Sequence, residues 1–196
     1  MLNIERTELS FYVAFLIKIS YISLLGGFVL DIIEAIKGRR SIRAFKDDDV
    51  AEELLLKIIE AGSYAPSGHN NQPWSFVIIR DKAVKDEISL LTAYKKIINN
   101  ANSLIVVFLD KDRSYDRDKD LMAVGACIQN MLLYAYSIGL GTVWLGEILK
   151  NKEKLRQLLE IPPEKEVMAV IALGYPLREP AFPGRMSVDQ LVLEKK

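Results

Sequence analysis

The chain has 196 residues, half of them apolar and 27% charged, which suits one domain with a sizeable core and excludes wholesale disorder. Its 26 lysines and arginines balance 26 aspartates and glutamates, which argues against a nucleic-acid binder that works through bulk positive charge. One cysteine, Cys127, and one histidine, His69, exclude an internal disulfide and argue against a metal centre of Cys and His ligands. A cytoplasmic protein is expected, one that would borrow any demanding chemistry from a bound cofactor.

In chain order, Leu9 to Val29 is predominantly apolar with Lys18 as its only charge, close to the length of a bilayer span. Lys18 falls mid-segment, and Glu5, Arg6 and Glu8 give no basic leader, so a secretory signal fits poorly. Membrane contact is expected only through residues 9–29. Insertion there would leave Lys37, Arg39, Arg40 and Arg43 on the cytoplasmic side. An extra packed helix, or residues upstream of the true start, are the other readings.

From Asp31, DIIEAIKG reads as a short helix ended by Gly38. Asp47 to Asp49 offer caps for a second helix, on which Val50, Leu54, Leu55, Ile58 and Ile59 recur at helical spacing and which Gly62 closes. A turn-rich stretch, 63–73, leads into a strand-like WSFVIIR. Helices around Lys82–Leu91 and Tyr94–Ala101 precede the apolar strand SLIVVFL. A charged loop then opens a long helix from about Lys119 to Ile138, which Gly139 and Gly141 end. TVWLG reads as a short strand or loop, Asn151 as the cap of a helix to Ile161, and VMAVIALG as the last strand. Helices and strands are interspersed without regular βα alternation.

The long helix is apolar around nearly its whole circumference, with Gln129 and Asn130 as exceptions. Those amides, with Asp118 and Asp120 at its start, favour burial in protein, and a second copy of the chain is a reasonable cover. Cys127 on this helix reads as a small core residue.

Three clusters can carry chemistry. Arg39, Arg40, Ser41 and Arg43 bring three guanidiniums and a hydroxyl to one segment, enough to grip a phosphate, although a solvated basic surface would look the same. The loop Ala65-Pro66-Ser67-Gly68-His69-Asn70-Asn71-Gln72-Pro73-Trp74 is stiffened by prolines and dense in amide and hydroxyl groups, suited to a flat polar heterocycle, or is an ordinary connection. His69 has no acid, serine or thiol partner nearby in sequence, which favours a structural or pocket-lining role. In Gly139-Leu140-Gly141-Thr142-Val143-Trp144-Leu145-Gly146, a helix end and a strand account for the first two glycines, and Gly146 is harder to dismiss. Arg185 lies in an irregular tail. Phosphate-loop, dinucleotide-binding and serine-nucleophile motifs are absent from the sequence.

Taken in order, RRSIR at 39–43, APSGHNNQPW at 65–74, the helix with Gln129-Asn130, LGTVWLGE at 140–147 and ALGYP at 172–176 resemble the nitroreductase family of flavin enzymes, over roughly residues 29–185. The resemblance implies an α+β fold: a central, mostly antiparallel sheet flanked by helices, in an intertwined homodimer with FMN at the subunit interface. By motif position Arg39, Arg40, Ser41 and Arg43, joined by Arg185, would hold the FMN phosphate and ribityl chain. Asn70 would meet the polar edge of the isoalloxazine, and Pro66, Ser67 and Gly68 would reach the partner's flavin. Trp144, Leu145 and Gly146 would set backbone N–H groups near the reactive flavin nitrogen. Hydride would pass from NADH or NADPH through FMN to a nitroaromatic, quinone or flavin acceptor in turn, with no catalytic side chain and no metal. Reductive dehalogenation, flavin breakdown or flavin binding without turnover are the alternatives on the same fold. Relatives commonly begin near Val29, so residues 1–28 are expected to be an extension outside the FMN-binding domain at 29–196.

Overall fold

The computed structural model describes residues 31–178, 180–182 and 184–196. The hydrophobic segment 9–29 lies outside them, and among the described residues no helix is long and apolar enough to cross a membrane. Contacts divide the chain after Gly38 into two units. In the first, α1 (Ile32–Gly38) starts behind Asp31, whose Oδ1 accepts a hydrogen bond from Ile33 N at 3.2 Å.

The second unit is built on a four-stranded sheet of β1 (Trp74–Ile79), β2 (Ser103–Asp110), β3 (Gly141–Leu145) and β4 (Lys165–Gly174), in the order β1-β2-β4-β3 with every neighbour antiparallel. Both faces are covered, which is why β2 is apolar from Leu104 to Leu109 and all eight of its residues are buried. Its side chains alternate: Ile105, Val107 and Leu109 enter one core, Leu104, Val106 and Phe108 the other. In β4, Val107 faces Ala169 and Phe108 faces Val167, so Met168 is the extra residue of a bulge that restores this alternation.

The first core lies under α2 (Glu52–Ser63) and α5 (Arg117–Ser137), the second under α3 (Lys82–Ser89), α4 (Lys95–Asn100) and α6 (Lys152–Leu158). A final short helix, α7 (Val188–Leu191), is exposed. Cys127 is fully buried, and burial pushes its thiol up to about 12, which makes it an inert core residue.

Three local expectations change. No aspartate caps α2: it starts after Ala51 without a side-chain cap, because Asp49 is drawn to Arg80 at 2.9 Å and to Asn102 at 3.3 Å. Gly62 lies inside α2, and its role is proximity: a Cβ there would sit 2.6 Å from Met131 Cγ of α5. Asn151 precedes α6 but turns its Nδ2 to Leu91 O at 2.8 Å, and α6 ends at Leu158.

One charged group joins three elements of this unit. Glu166 of β4 is nearly buried and accepts from Arg117 of α5 at 2.7 and 3.0 Å and from Lys152 of α6 at 2.7 Å. Its bond from Arg117, with Lys152 in support and against the opposing effect of burial, holds the carboxyl down to about 2. Its stabilisation is therefore present above the ordinary carboxylate value and lost as the pH falls toward about 2. Glu166→Gln will be less stable than the parent at neutral pH and will lose less stability in acid. Denaturant midpoints measured down the acid limb would show parallel slopes if Glu166 were not ionised in the fold.

Candidate functional site

The basic segment runs beside the edge strand β3. Ser41 forms a parallel bridge with Thr142, and Ile42 N donates to Thr142 O at 2.9 Å. Ile42 plugs the second core above Gly141, where a Cβ would stand 2.7 Å from Ile42 Cγ1. Gly139 takes φ +81° at the end of α5, so both glycines serve the fold.

With Ile42 anchored, the guanidiniums gather. Arg40 lies 4.4 Å over the ring of Phe182, and Arg185 reaches the same ring at 5.5 Å. Arg185, which the family resemblance alone places with these arginines, thus joins the cluster through Phe182, a residue that sequence reasoning missed. Arg39 is half-buried, and its Nε is buried without a hydrogen-bond partner. Burial first, then the charges of Arg185 and Arg40, lower its pKa. Like charges held together around an orphaned donor call for an anion.

Further along β3, Val143 and Leu145 enter the core while Trp144 remains 42% exposed. A Cβ on Gly146 would meet nothing within 4 Å, so packing within the chain does not explain this glycine. The next residue, Glu147, fixes the loop. Its Oε2 accepts from Thr92 Oγ at 2.7 Å and Ala93 N at 3.1 Å, bonds that hold its carboxyl below the usual range.

The polar loop stands apart. A short 3₁₀ turn, Gly68–Asn70, carries His69 at φ 52° and Asn70 at φ 55°, and Gln72 follows at φ 47°, three left-handed residues without a glycine among them. The turn is held by Ser67 Oγ, which accepts from Gln72 N at 3.1 Å, and by Asn71, whose Nδ2 donates to Arg113 O and to Asp120 Oδ1, each at 2.8 Å. Asp120, fully buried in the first turn of α5, also accepts from Ser114 Oγ and from the N–H groups of Tyr115 and Asp116. Burial pushes its carboxyl up, but those hydrogen bonds prevail and hold it below the ordinary value. Gly68 lies against Tyr115, where a Cβ would overlap the hydroxyl, and His69 packs edge-on to the same ring at 5.0 Å.

The structure therefore groups the predicted residues in two places. Arg39, Arg40, Ser41, Arg43, Arg185 and the 144–146 segment lie along β3. Pro66, Ser67, Gly68 and Asn70 lie where β1 begins, on the opposite edge and at the opposite end of the sheet: Trp74 pairs with Leu109, whereas Thr142 pairs with Leu173 and Leu173 with Ser103. Helix α5 spans the gap, with Asp120 beside the loop and its last turn leading into β3, ~25 Å along the axis. One chain does not close the two groups around one small molecule. A cleft of about 880 Å³ between α3, α4 and residues 45–49 contains none of these residues, and three of its cations are already matched: Arg80 by Asp49, Lys82 by Asp86, Lys85 by the carbonyls of Ala101 and Asn102.

An all-antiparallel sheet between two helical layers, with an arginine cluster at one corner and a strained polar loop at the other, defines an α+β protein with a cationic edge suited to an anion. The profile of the Nitroreductase family matches residues 36–93 and 89–175, and the chain belongs to that family. A Methanothermobacter thermautotrophicus protein provisionally named NADH dehydrogenase/NAD(P)H nitroreductase is 34% identical over 168 residues, covering 85% of this chain and 88% of its own. A provisionally named nitroreductase of Desulfovibrio desulfuricans, solved in complex with FMN, superposes with a TM-score of 0.82 at 40% identity, over 85% of this chain and 98% of that one. The NADPH:FMN oxidoreductase of Vibrio harveyi, solved with NAD+, gives 0.78 at 27% identity, over 84% and 77%.

Proposed function

We propose that this protein is an FMN-dependent oxidoreductase that takes hydride from NADH or NADPH and delivers it to a nitroaromatic, quinone or flavin acceptor, donor and acceptor using one cleft in turn. The observation that carries the reading is the orphaned, half-buried Arg39 amid Arg40 and Arg185, a cluster suited to a phosphate dianion. FMN has such a phosphate, and the FMN complex of the Desulfovibrio relative supports it as the ligand. When bound, FMN would supply the hydride chemistry itself. The chain's residues then bind and orient. Arg39, Arg40 and Arg185 hold the phosphate, and Ser41 and Arg43 the ribityl chain. The 144–146 backbone, free of any side chain at Gly146, comes close to the ring.

The other half of the site would come from a second copy. Pro66, Ser67, Gly68 and Asn70 share one fixed loop, so Asn70 acts with the other three on the partner's flavin. Helix α5 offers the contact. Met122, Gly125, Gln129, Leu133 and Tyr136 form a stripe outside the core, Met122 is 74% exposed, and a Cβ on Gly125 would meet nothing. An interfacial glycine lets two helices approach closely. Gly125→Phe will leave the fold of one chain intact, since it removes a helix-weakening glycine at an open position. It will block dimerisation and with it FMN binding. Sedimentation and flavin absorbance should fall together; a dimeric, flavin-loaded variant would refute the shared site.

The function itself is tested by the visible spectrum of purified protein with NADH or NADPH added without oxygen. A flavin spectrum that bleaches, followed by repeated turnover with an acceptor, is expected. A colourless protein that takes up no FMN would overturn the reading, and bleaching without turnover would make it a flavin carrier.

A further inference from the structure

The connection between α3 and α4 is fastened from a distant part of the chain. Thr92 Oγ and Ala93 N both donate to Glu147 Oε2, at 2.7 and 3.1 Å, and Leu91 O accepts from Asn151 Nδ2 at 2.8 Å. Glu147 and Asn151 are the first and last residues of one 3₁₀ helix, Glu147–Asn151, which starts directly after Gly146. That helix is itself seated: Ile148 is fully buried in the second core, and Leu149 N donates to Gly146 O at 3.1 Å. Thr92 Oγ also accepts from Tyr94 N at 3.1 Å, which relays the carboxylate's hold to the next residues. The staple thus has two ends, and both grip the same connection.

What it joins gives the staple its use. On one side is the 144–146 backbone, where Gly146 leaves open space. On the other, Ala93 and Tyr94 begin the wall of a cleft of about 640 Å³ that continues along α4 past Lys96, Ile97 and Asn100. Ala93 belongs to both the staple and the cleft. Leu91 packs on the second core, but Ala93 and Tyr94 are exposed, so hydrogen bonds rather than burial hold this part of the connection. Glu147 Oε1 faces only Lys150 at 3.4 Å, an exposed pair that contributes little, so its other oxygen does the fastening. A carboxylate suits the task, because bonds to an ionised acceptor are shorter and stronger than neutral ones.

We propose that Glu147 is a positioning residue of the oxidoreductase: it holds the 144–146 backbone and the 91–94 connection as one piece, so that a reactant admitted beside Ala93 and Tyr94 meets the flavin ring in a fixed geometry. The inference rests on the FMN-dependent function proposed above and adds to it a side chain that touches neither FMN nor reactant. Hydride transfer is sensitive to such geometry, since a misplacement of about 1 Å can cost about a hundredfold in rate.

The test compares the FMN-loaded parent with Glu147→Ala, Glu147→Gln and Thr92→Val. In Glu147→Ala flavin reduction at saturating donor should slow about tenfold, a partial loss of alignment. The visible band of the bound flavin should shift as the 144–146 N–H groups move, while FMN affinity, set at the phosphate cluster, stays close to the parent's. Glu147→Gln keeps a neutral acceptor and should recover part of the rate. Thr92→Val spares the bond from Ala93 N and should lose less; added to Glu147→Ala it should cost nothing further, because both act on one set of bonds. Being nearly isosteric, Thr92→Val also keeps the test open if the Glu147→Ala chain does not fold. A further readout needs no flavin: in the flavin-free protein Thr92→Val should raise amide exchange at Leu149, across the staple, as well as at Tyr94. A staple that serves stability alone would lower the melting temperature and leave the reduction rate, the flavin band and Leu149 exchange at parental values, which would overturn the proposal. Additive losses in the double variant would overturn it as well. A parent protein that neither binds FMN nor oxidises either donor would instead sink the flavin reading, and this proposal with it.

Discussion

Arg39→Ala will weaken FMN binding about a hundredfold and leave the flavin-free chain as stable as before. Removing one charge-assisted contact to a phosphate costs about 2–3 kcal/mol, which sets the loss in affinity. The unchanged stability follows from what Arg39 does without a ligand. Its Nε makes no hydrogen bond, burial and the neighbouring Arg185 and Arg40 both disfavour its charge, and no carboxylate answers it among the described residues. Truncation relieves that repulsion and forfeits some stem packing, two small effects of opposite sign. Riboflavin, which lacks the phosphate, provides the control: its affinity should be the same for parent and variant. Fluorescence titration with both flavins, with thermal melts of the flavin-free proteins, checks the prediction. A structural Arg39 would reverse the pattern, giving a lower melting temperature and an unaltered preference for FMN over riboflavin.

The contrast between Arg39 and Arg185 shows what a sequence can reveal of such a site. Arg39 stands in RRSIR, where spacing alone suggests an anion grip. Arg185 means little in its own stretch of sequence, where only the family resemblance picks it out; its place comes through Phe182, whose ring meets Arg40 from the far end of the chain. The strands were legible for a local reason. A strand covered on both faces must be apolar along its middle, and β2 is so from Leu104 to Leu109 and β4 from Val167 to Leu173. Caps were less so, because Asp49 had a better partner in Arg80 than the start of α2, a choice made by tertiary contact. The loop at 65–74 was visible as polar and proline-bounded, but not its buried anchor: Asp120 resembles any acidic residue in a first helical turn. Nor does spacing along the chain show that this loop and RRSIR fall at opposite corners of the sheet. That follows from strand order, and it is the ground on which a second copy is proposed to complete the site.

Asp120→Ala will cost about 3 kcal/mol of stability, a drop of about 10 °C in melting temperature, and will release the polar loop. Four donors converge on this carboxylate: Asn71 Nδ2, Ser114 Oγ, Tyr115 N and Asp116 N. Alanine leaves them inside a space that offers no other acceptor to most of them, and unsatisfied buried donors cost more than the bonds contributed. The loop is the part that yields. His69, Asn70 and Gln72 hold left-handed conformations that non-glycine residues adopt only under constraint, and Asn71, which supplies that constraint, loses Asp120 and keeps only Arg113 O. Amide exchange should therefore rise at residues 66–72 well before it rises in β2. FMN binding should fall with it, since Pro66, Ser67, Gly68 and Asn70 would no longer be held in position. The pH dependence has a definite sign. Asp120 is held below its ordinary value of 3.8 in the fold, so its stabilisation is complete above that value and is lost as the pH falls through the lower, folded one. Asp120→Asn keeps one acceptor and discards the charge: it should be less stable than the parent at neutral pH, and its stability should fall less steeply in acid. If Asp120→Asn and the parent lost stability in parallel below pH 4, the carboxylate would not be the ionised anchor of the loop.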